Sequence, residues 1–445
     1  MLKHLEAIEK NKKLILETER YIWNNAETGY RETKTSKYLE EIFINLGYKI
    51  HRAENIPGFY CTVDTNRPGP EILILAEMDS VICKNHPESD KETGAVHSCG
   101  HNTQCAALVG IAAAFSEKDV LSTLSGRIKL CAVPAEELIE FEYRKKLKDE
   151  GKIKYFTGKL EYLHRGYFDT SNIALMFHAT TAQEIVIEKG TVGCLVKKIV
   201  YEGKSAHAGG NPWDGKNALY AANLGLSAIN SIRETFKDSE LIRVHPIMTS
   251  GGNTINVIPD TAKIESYVKG KSIDSVKDIN KKVNRALCGA AVSLGNNISI
   301  YDTHGYSPLN NCVELCEMAE KAAENLKILP YIRTDNISPG STDLGDLSQI
   351  MPALHPFFPG AKGTTHGADY EIVNPTLACV SSAKYMMSII CLLLGDKAVR
   401  AEEIIKKYKP NFKNKDEFLK FIDSMSADIR CIDYTDENNI HIKLQ

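Results

Sequence analysis

The chain has 445 residues and a formal net charge of −3, with 25% charged and 43% hydrophobic residues. One hydrophobic core rarely grows to this size, so we expect two domains. Charges of both signs are mixed along the chain and form no concentrated basic surface. This pattern argues against binding to nucleic acid or to an anionic membrane.

Targeting and membrane signals are weak. The longest late apolar run, residues 385–395, is shorter than the ~20 residues that a spanning helix needs, so it predicts a buried helix. The N-terminal residues are charged throughout, unlike a secretory signal. The twelve cysteines include no CxxC pair. We interpret them as reduced thiols, which predicts a cytoplasmic protein.

The first 180 residues alternate between helical and extended patterns. Continuous apolar strands that alternate with helices indicate a mostly parallel sheet covered on both faces. The predicted helices are 5–26, 34–47 and 104–115, and the predicted strands are 58–65, 71–79, 127–137 and 173–179.

From about residue 194 the order of elements becomes β-α-β-β-α-β, with helices predicted over 216–234 and 274–294. This order is typical of a ferredoxin-like α+β sandwich. The α/β pattern returns after Pro308. We therefore predict a first domain of residues 1–193 and 306–445, with residues 194–305 inserted as a second domain. Residues 395–445 are expected to form a helical C-terminal extension.

Most of the chemically versatile side chains collect where predicted strands end. They are Cys99 with His101, Glu136 with Glu137, His178, and His366 in a loop rich in glycine and threonine. Ligands in open α/β sheets gather outside the carboxyl ends of strands. Each group alone also fits a structural or solvated role. Together, one thiolate, three imidazoles and one carboxylate suit Zn, Co or Mn and favour an open two-metal site.

The inserted segment offers three further candidates. His207 lies among glycine, serine and alanine, where a side chain can reach into a cleft. Asn253 and Asn256 flank a predicted turn and have the groups to hydrogen-bond a substrate carbonyl or carboxylate. A surface histidine and ordinary turn chemistry fit the same residues equally well.

Eight motifs occur in one fixed order between residues 77 and 370. They are EMDS (77–80), HSCGHN (97–102), PAEE (134–137), FHA (177–179), GKSAHA (203–208), GGNTINVIPD (251–260), STDLGD (341–346) and THGADY (365–370). In this order they resemble peptidase family M20, the aminoacylase and carboxypeptidase type of dinuclear metallopeptidase. The amidohydrolase branch is the most similar, especially its group of aminobenzoyl-glutamate hydrolases and β-alanyl-lysine dipeptidases.

The resemblance implies a role for each candidate residue. The implied metal ligands are Cys99, His101, Glu137, His178 and His366. Glu136 would be the general base toward a metal-bridging water, and Asp79 would orient a metal ligand. His207 would steady the developing oxyanion, and Asn256 would contact substrate. In relatives the inserted domain acts as a lid and dimerises.

One departure from the family pattern lies beside the candidate base. Relatives usually carry glycines after PAEE, whereas here residues 138–157 intervene. This segment is expected to reshape the pocket, so the substrate of a relative does not transfer directly.

The sequence therefore predicts a dinuclear metallo-amidohydrolase that binds two divalent ions (Zn, Mn or Co). It would cleave an amide bond in a small N-acyl amino acid or dipeptide-like substrate, as a homodimer formed through the lid. No nucleic-acid or membrane partner is expected. Two alternatives stay open. One is a non-catalytic or hetero-complex subunit with the same fold, and the other is an aminopeptidase or dipeptidase that needs a free N-terminus.

Overall fold

The computed structural model describes residues 2–117, 119–435 and 439–444. The chain divides into two compact units. The first comprises Met1–Gly190, Leu309–Ile337 and Asp346–Lys415, and the second comprises Thr191–Pro308, Ser338–Gly345 and Asp416–Gln445. Each unit has a hydrophobic core of its own, as the chain length leads one to expect.

The helices of the described residues are α1 (Leu2–Lys10), α2 (Lys12–Asn24), α3 (Thr33–Asn45), α4 (His101–Ser116), α5 (Phe141–Asp149), α6 (Gly158–His164), α7 (Ala218–Ser231), α8 (Ile273–Ser293), α9 (Val313–Leu326), α10 (Leu344–Leu347), α11 (Ser382–Leu394), α12 (Val399–Lys407) and α13 (Lys415–Met425).

The strands of the described residues are β1 (His51–Arg52), β2 (Phe59–Asp64), β3 (Glu71–Glu77), β4 (Val81–Ile82), β5 (Ala95–Val96), β6 (Arg127–Val133), β7 (Ile173–Leu175), β8 (His178–Thr180), β9 (Ile185–Ile187), β10 (Gly190–Thr191), β11 (Gly193–Glu202), β12 (Arg243–Val244), β13 (Ile247–Ser250), β14 (Thr261–Gly270), β15 (Asn297–Tyr306), β16 (Leu309–Asn310), β17 (Tyr331–Arg333), β18 (Ile337–Ser338), β19 (Ala353–Leu354), β20 (Phe357–Pro359), β21 (Ala361–Lys362), β22 (Glu371–Ile372), β23 (Ala427–Tyr434) and β24 (Ile440–Ile442).

The main sheet of the first unit has the strand order β1-β2-β6-β3-β7-β19. All seven residues of β3 are buried, as a strand covered on both faces requires. The pairs β6–β3, β3–β7 and β7–β19 are parallel, whereas β1–β2 and β2–β6 are antiparallel. The sheet is therefore mixed rather than mostly parallel. Only six residues connect β2 to β3, fewer than the dozen or so that a parallel crossover needs. This short connection explains why β2 does not run parallel to β3.

Helices of the first unit pack around this sheet. The helix α4 is buried on all sides from His101 to Phe115, and its many small residues allow neighbouring helices to approach closely. The predicted helix 5–26 is two helices, α1 and α2. Asn11 lies between them and donates from its side chain to the Ala7 carbonyl at 2.9 Å, a local bond that competes with helix continuation.

The second unit contains a seven-stranded antiparallel sheet in the order β12-β14-β11-β15-β23-β24, with β13 also paired to β14. Side chains of β11 and β14 alternate between buried and partly exposed positions, as expected for a sheet with one covered face. Apolar residues of α7 and α8 complete the core on that face. The predicted helices 216–234 and 274–294 are confirmed as α7 and α8.

The C-terminal segment corrects the prediction of a helical extension over 395–445. Helices α12 and α13 are followed by strands β23 and β24, and β23 pairs with β15 along the second unit's sheet. Residues 416–445 accordingly belong to the second unit. The alternating sequence ADIRCIDY buries Cys431 and Ile432 on this sheet, and such alternation favours a strand.

One helical stretch, Thr376–Leu394, is long and apolar enough by composition to cross a membrane. Within that stretch 72% of the most apolar window is buried inside the protein. Core helices of globular proteins have this property. The prediction that residues 385–395 form a buried helix is thus confirmed.

Candidate metal centre

Three adjacent parallel strands of the first unit carry four of the candidate residues at their carboxyl ends. Asp79 follows β3, Glu136 and Glu137 follow β6, and His178 follows β7 at the start of β8. The strands β6, β3 and β7 are neighbours in the sheet. Their carboxyl ends therefore bring these side chains to one edge, which is where open α/β sheets build binding sites.

Gly100 lets the chain turn sharply between Cys99 and His101. Its φ of +86° is a left-handed conformation that favours glycine. His101 is then the first residue of α4, and its Nδ1 lies 2.9 Å from the Asp79 carbonyl oxygen. A carbonyl only accepts, so Nδ1 donates and carries a proton. In the neutral ring Nε2 is left as the nitrogen that can bind a metal.

Five of the predicted residues form two overlapping groups with ligand atoms within 4.8 Å of one another. The groups are Cys99–His101–His178 and Cys99–Glu137–His366. Cys99 belongs to both, because its Sγ lies 3.3 Å from Nε2 of His178 and 3.3 Å from Nε2 of His366. His366 Nε2 also lies 3.0 Å from a Glu137 oxygen. Thiolate, imidazole and carboxylate in this arrangement fit borderline divalent ions such as Zn, Co or Mn.

The electrostatics of this cluster depend on charges at close range. Burial raises the pKa of the Cys99 thiol well above its ordinary value, and the Glu137 carboxylate adds to this effect. A bound cation would reverse that balance and favour thiolate. Burial also opposes ionisation of Glu137, but the hydrogen bond and charge of His366 outweigh it, so the pKa of Glu137 falls below its ordinary value.

Glu136 is nine-tenths buried next to the two groups and belongs to a third cluster with Glu77 and His101. The turn that carries it is unusual, because Ala135 has a φ of +58°. Asp79 supports the same turn by accepting a hydrogen bond from the Glu137 backbone N–H at 2.8 Å. Asp79 therefore contacts both the His101 ring and the turn of the paired glutamates.

Sequence reasoning missed two buried residues beside the centre, Glu77 and His355. Glu77 at the end of β3 is fully buried and lies 3.2 Å from His101 Nε2. Gln104 donates to it at 2.8 Å, and Lys159 of α6 forms an ion pair with it. Burial opposes ionisation of Glu77, but the Lys159 charge holds its pKa below the ordinary value. The sequence signal that could have identified Glu77 is an acidic residue at the end of an apolar strand.

A fourth imidazole also lies near the centre. His355 is buried, and its ring centroid lies 5.9 Å from that of His178. Burial, and next the charge of His178, lower the pKa of His355 to about 3. The ring is therefore neutral near pH 7. The sequence offered no motif that distinguished His355 from an ordinary core histidine.

The remaining predicted residues, His207, Asn253 and Asn256, all lie in the second unit, whereas the candidate ligands lie in the first. His207 is exposed, and its Nδ1 accepts hydrogen bonds from the backbone N–H groups of Gly209 (3.2 Å) and Gly210 (2.9 Å). The neutral ring therefore carries its proton on Nε2. Asn253 and Asn256 are exposed.

The chain is similar to known hydrolases along most of its length. It is 29% identical over 283 residues to Xaa-Arg dipeptidase of Mus musculus, a match covering 62% of this chain and 60% of that protein. It is 23% identical over 418 residues to one of the p-aminobenzoyl-glutamate hydrolase subunits of Escherichia coli, covering 80% of this chain and 82% of that protein.

Comparison with solved structures shows the same mixed α/β fold. A Bacillus subtilis protein described as a dinuclear metal binding peptidase from the M20 family superimposes with a TM-score of 0.66 at 18% identity. The superposition covers 88% of this chain and 100% of that one. The sequence profile of peptidase family M20/M25/M40 matches residues 73–391, well over half of the chain. The chain therefore belongs to peptidase family M20/M25/M40 and is a hydrolytic enzyme.

Proposed function

We propose that the protein is a two-metal amidohydrolase that cleaves the amide bond of a small dipeptide-like or N-acyl amino acid substrate. The main support for this proposal is that Cys99 belongs to two ligand groups at once, with His101 and His178 in one group and Glu137 and His366 in the other. Two groups that share a ligand suit two adjacent ions better than one.

In this proposal those five residues would hold the ions. Bound divalent ions would polarise the scissile carbonyl and lower the pKa of a water molecule. Glu136 takes a proton from the attacking water on one carboxylate oxygen and returns it to the leaving amine nitrogen. Its support is its burial beside both ligand groups, on a turn fixed by Asp79.

His207 is proposed to stabilise the oxyanion. Its Nδ1 accepts two backbone hydrogen bonds, so Nε2–H of the neutral ring is a donor. Asn253 and Asn256 are proposed to contact the substrate's carbonyl or carboxylate, which exposed amide side chains can do. These roles require the second unit to act as a lid over the centre.

That lid is proposed to be ferredoxin-like and to form a homodimer. Its element order and its strand order β13-β14-β11-β15 fit a split βαβ sandwich. Large apolar side chains are exposed on the second unit, including Trp213 (77%), Tyr220 (64%) and Ile255 (94%). Such exposure favours a partner surface. A purely monomeric protein in analytical ultracentrifugation would contradict the dimer.

The cytoplasm is the proposed location. The structure contains twelve free cysteines, ten of them buried. Free thiols in this number are typical of a reducing compartment.

The test of function combines metal loading with a substrate screen. Dipeptides ending in arginine, p-aminobenzoyl-glutamate and N-acetyl amino acids are the first candidates, chosen from the names of the relatives. We expect Glu136→Gln to retain metal and to lose turnover by about 10²- to 10⁴-fold, since a general base contributes that much. Glu142→Gln on the exposed face of α5 is the matched control. Near-normal turnover of Glu136→Gln would contradict the assignment.

A second candidate is a hetero-complex component that needs a different partner chain for activity. The name of the Escherichia coli relative, which describes it as part of a hydrolase, favours this reading. In that case the isolated chain binds metal but hydrolyses none of the screened amides.

A further inference from the structure

Arg144 is a fully buried arginine on α5, within the 138–157 segment. Its Nη1 donates to the Phe156 carbonyl at 2.6 Å, and its Nη2 donates to the Glu137 carbonyl. A buried guanidinium is costly unless it is hydrogen-bonded and its charge is compensated. The Glu137 carbonyl is thus bonded to a rigid cation from a segment that departs from the family pattern.

Glu32, which is also fully buried, contacts the other end of the Ala135–Glu137 turn. One Glu32 oxygen accepts a hydrogen bond from the Ala135 backbone N–H at 2.7 Å. Burial, and next the charge of Asp79, raise the pKa of Glu32 well above its ordinary value, and the Arg144 charge lowers it by less. Glu32 and Arg144 therefore bind the two ends of the same turn, on either side of Glu136.

This turn needs external support. Ala135 has a φ of +58°, a left-handed conformation that is unfavourable for a non-glycine residue. Such conformations persist where surrounding contacts enforce them, and they occur often at active sites. The Ala135 carbonyl accepts from Gly158 N–H at 3.1 Å, and the Glu137 N–H donates to Asp79 at 2.8 Å.

We propose that Arg144 is a positioning residue for the metal centre. It fixes the Ala135–Glu137 turn so that the Glu137 side chain would bind the metal ions and the Glu136 side chain would reach the attacking water. The catalytic part of this proposal rests on the proposed function, whereas the positioning part concerns the turn and the ligand Glu137 alone. Through the Arg144 side chain, the 138–157 segment then supports the geometry of the metal centre, in addition to any effect on the pocket.

The experiment compares Arg144→Met and Arg144→Lys with Lys145→Met in the full-length protein. Lys145 is the next residue on the same helix, and its exposed side chain pairs with Asp149 on the surface. Three quantities are measured: the visible absorption of the Co(II)-loaded protein, Co(II) affinity by chelator competition, and kcat and KM. Hydrogen–deuterium exchange over residues 133–140 of the metal-free protein reports the turn directly.

We expect Arg144→Met to change the Co(II) spectrum, to weaken Co(II) binding and kcat by about 10- to 100-fold, and to leave KM within about threefold. Exchange should rise over residues 133–140 more than elsewhere. Arg144→Lys should show a smaller change in each quantity, because the lysine ammonium reaches only one of the two carbonyls and lacks the planar guanidinium. Lys145→Met should match the wild type in all measurements.

Two outcomes would overturn the proposal. One is a wild-type spectrum, affinity and kcat in Arg144→Met. The other is a uniform rise in exchange with no recovery in Arg144→Lys, which indicates a general loss of stability. If the wild-type protein hydrolyses no screened amide but its Co(II) spectrum and local exchange respond to Arg144→Met, the proposed function fails and the positioning role stands.

Discussion

At Gly100 the backbone must turn left-handed for Cys99 and His101 to face the same centre, and no space is left for a side chain. A Cβ on Gly100 would lie 2.5 Å from the Tyr370 hydroxyl oxygen and 2.7 Å from the Ala179 Cβ. The glycine is therefore required by both conformation and packing, and its substitution should disturb two candidate ligands together.

We expect Gly100→Ala to cost about 1–2 kcal/mol for its backbone conformation and about 1–3 kcal/mol more for overpacking, and to lower metal content. Gly47 is the matched control. Its φ is +90° but nothing lies within 4 Å of its Cβ position, so Gly47→Ala should carry only the backbone cost. Urea unfolding and metal analysis measure the two effects. Equal stability losses in the two variants would contradict the packing argument.

Glu71 provides a prediction that depends on pH. Its buried carboxylate accepts hydrogen bonds from Thr170 at 2.7 Å and Ser171 at 3.0 Å and pairs with Lys129 at 3.0 Å. Burial opposes ionisation, but these contacts outweigh it and lower the pKa of Glu71 below its ordinary 4.5. A lowered folded-state pKa contributes stability that is present above 4.5 and is lost as the pH falls through the folded-state value.

We therefore expect Glu71→Gln to destabilise the protein at pH 7 by about 3 kcal/mol, since it leaves Lys129 buried without its counter-charge. The difference from the wild type should stay constant between pH 7 and pH 5 and should narrow below pH 4.5. Urea unfolding at four pH values measures it, with exposed Glu6→Gln as the control. A difference that widens on acidification would contradict the stated sign.

The sequence predicts the parts of the site that follow from local patterns, but not the contacts between residues that are distant in the chain. Glu137 and His178 could be proposed because they follow apolar strands. Cys99, His101 and His366 could be proposed because they lie in glycine-containing loops among other metal-binding residue types. The role of all five as ligands stays a prediction. The ion pair Glu77–Lys159 and the hydrogen bond from Ala135 to Glu32 could not be proposed, because each joins residues about 80 or more positions apart with no motif to connect them.

At the scale of elements, the C-terminal strands were the part that sequence reasoning misjudged. The strand β23 pairs with β15 and places Ile432 opposite Ile298 in the core of the second unit. The alternation within β23 favours a strand, but its pairing with residues more than a hundred positions away has no local signal. The charged residues around it favoured the prediction of a helix. An edge of the sheet is thereby covered, which limits unwanted strand pairing.

We expect Ile432→Ala to destabilise the second unit by about 2–5 kcal/mol, because it removes a fully buried side chain. The control is Ile442→Ala on the adjacent strand, where the side chain is 57% exposed. Hydrogen exchange over residues 297–306 should increase in the first variant and not in the second. Unchanged exchange in Ile432→Ala would mean that β23 contributes little to the sheet.

At the scale of the whole molecule, two domains and a mixed α/β fold could be expected from length and element order. The direction of β2 was not predicted, although its alternation of buried with more exposed positions is typical of an antiparallel strand. The division of the chain also differs from the prediction, since residues 416–445 join the second unit through contacts distant in sequence.

The proposed function requires five side chains from distant segments of one unit to hold two metal ions through a shared Cys99. Elemental mass spectrometry of protein purified without chelator measures the number of bound ions. We predict about two Zn, Mn or Co ions per chain, about one in His178→Ala and in His366→Ala, and almost none in Cys99→Ala. A wild-type chain that contains no metal and takes up none on reloading would contradict the proposed function.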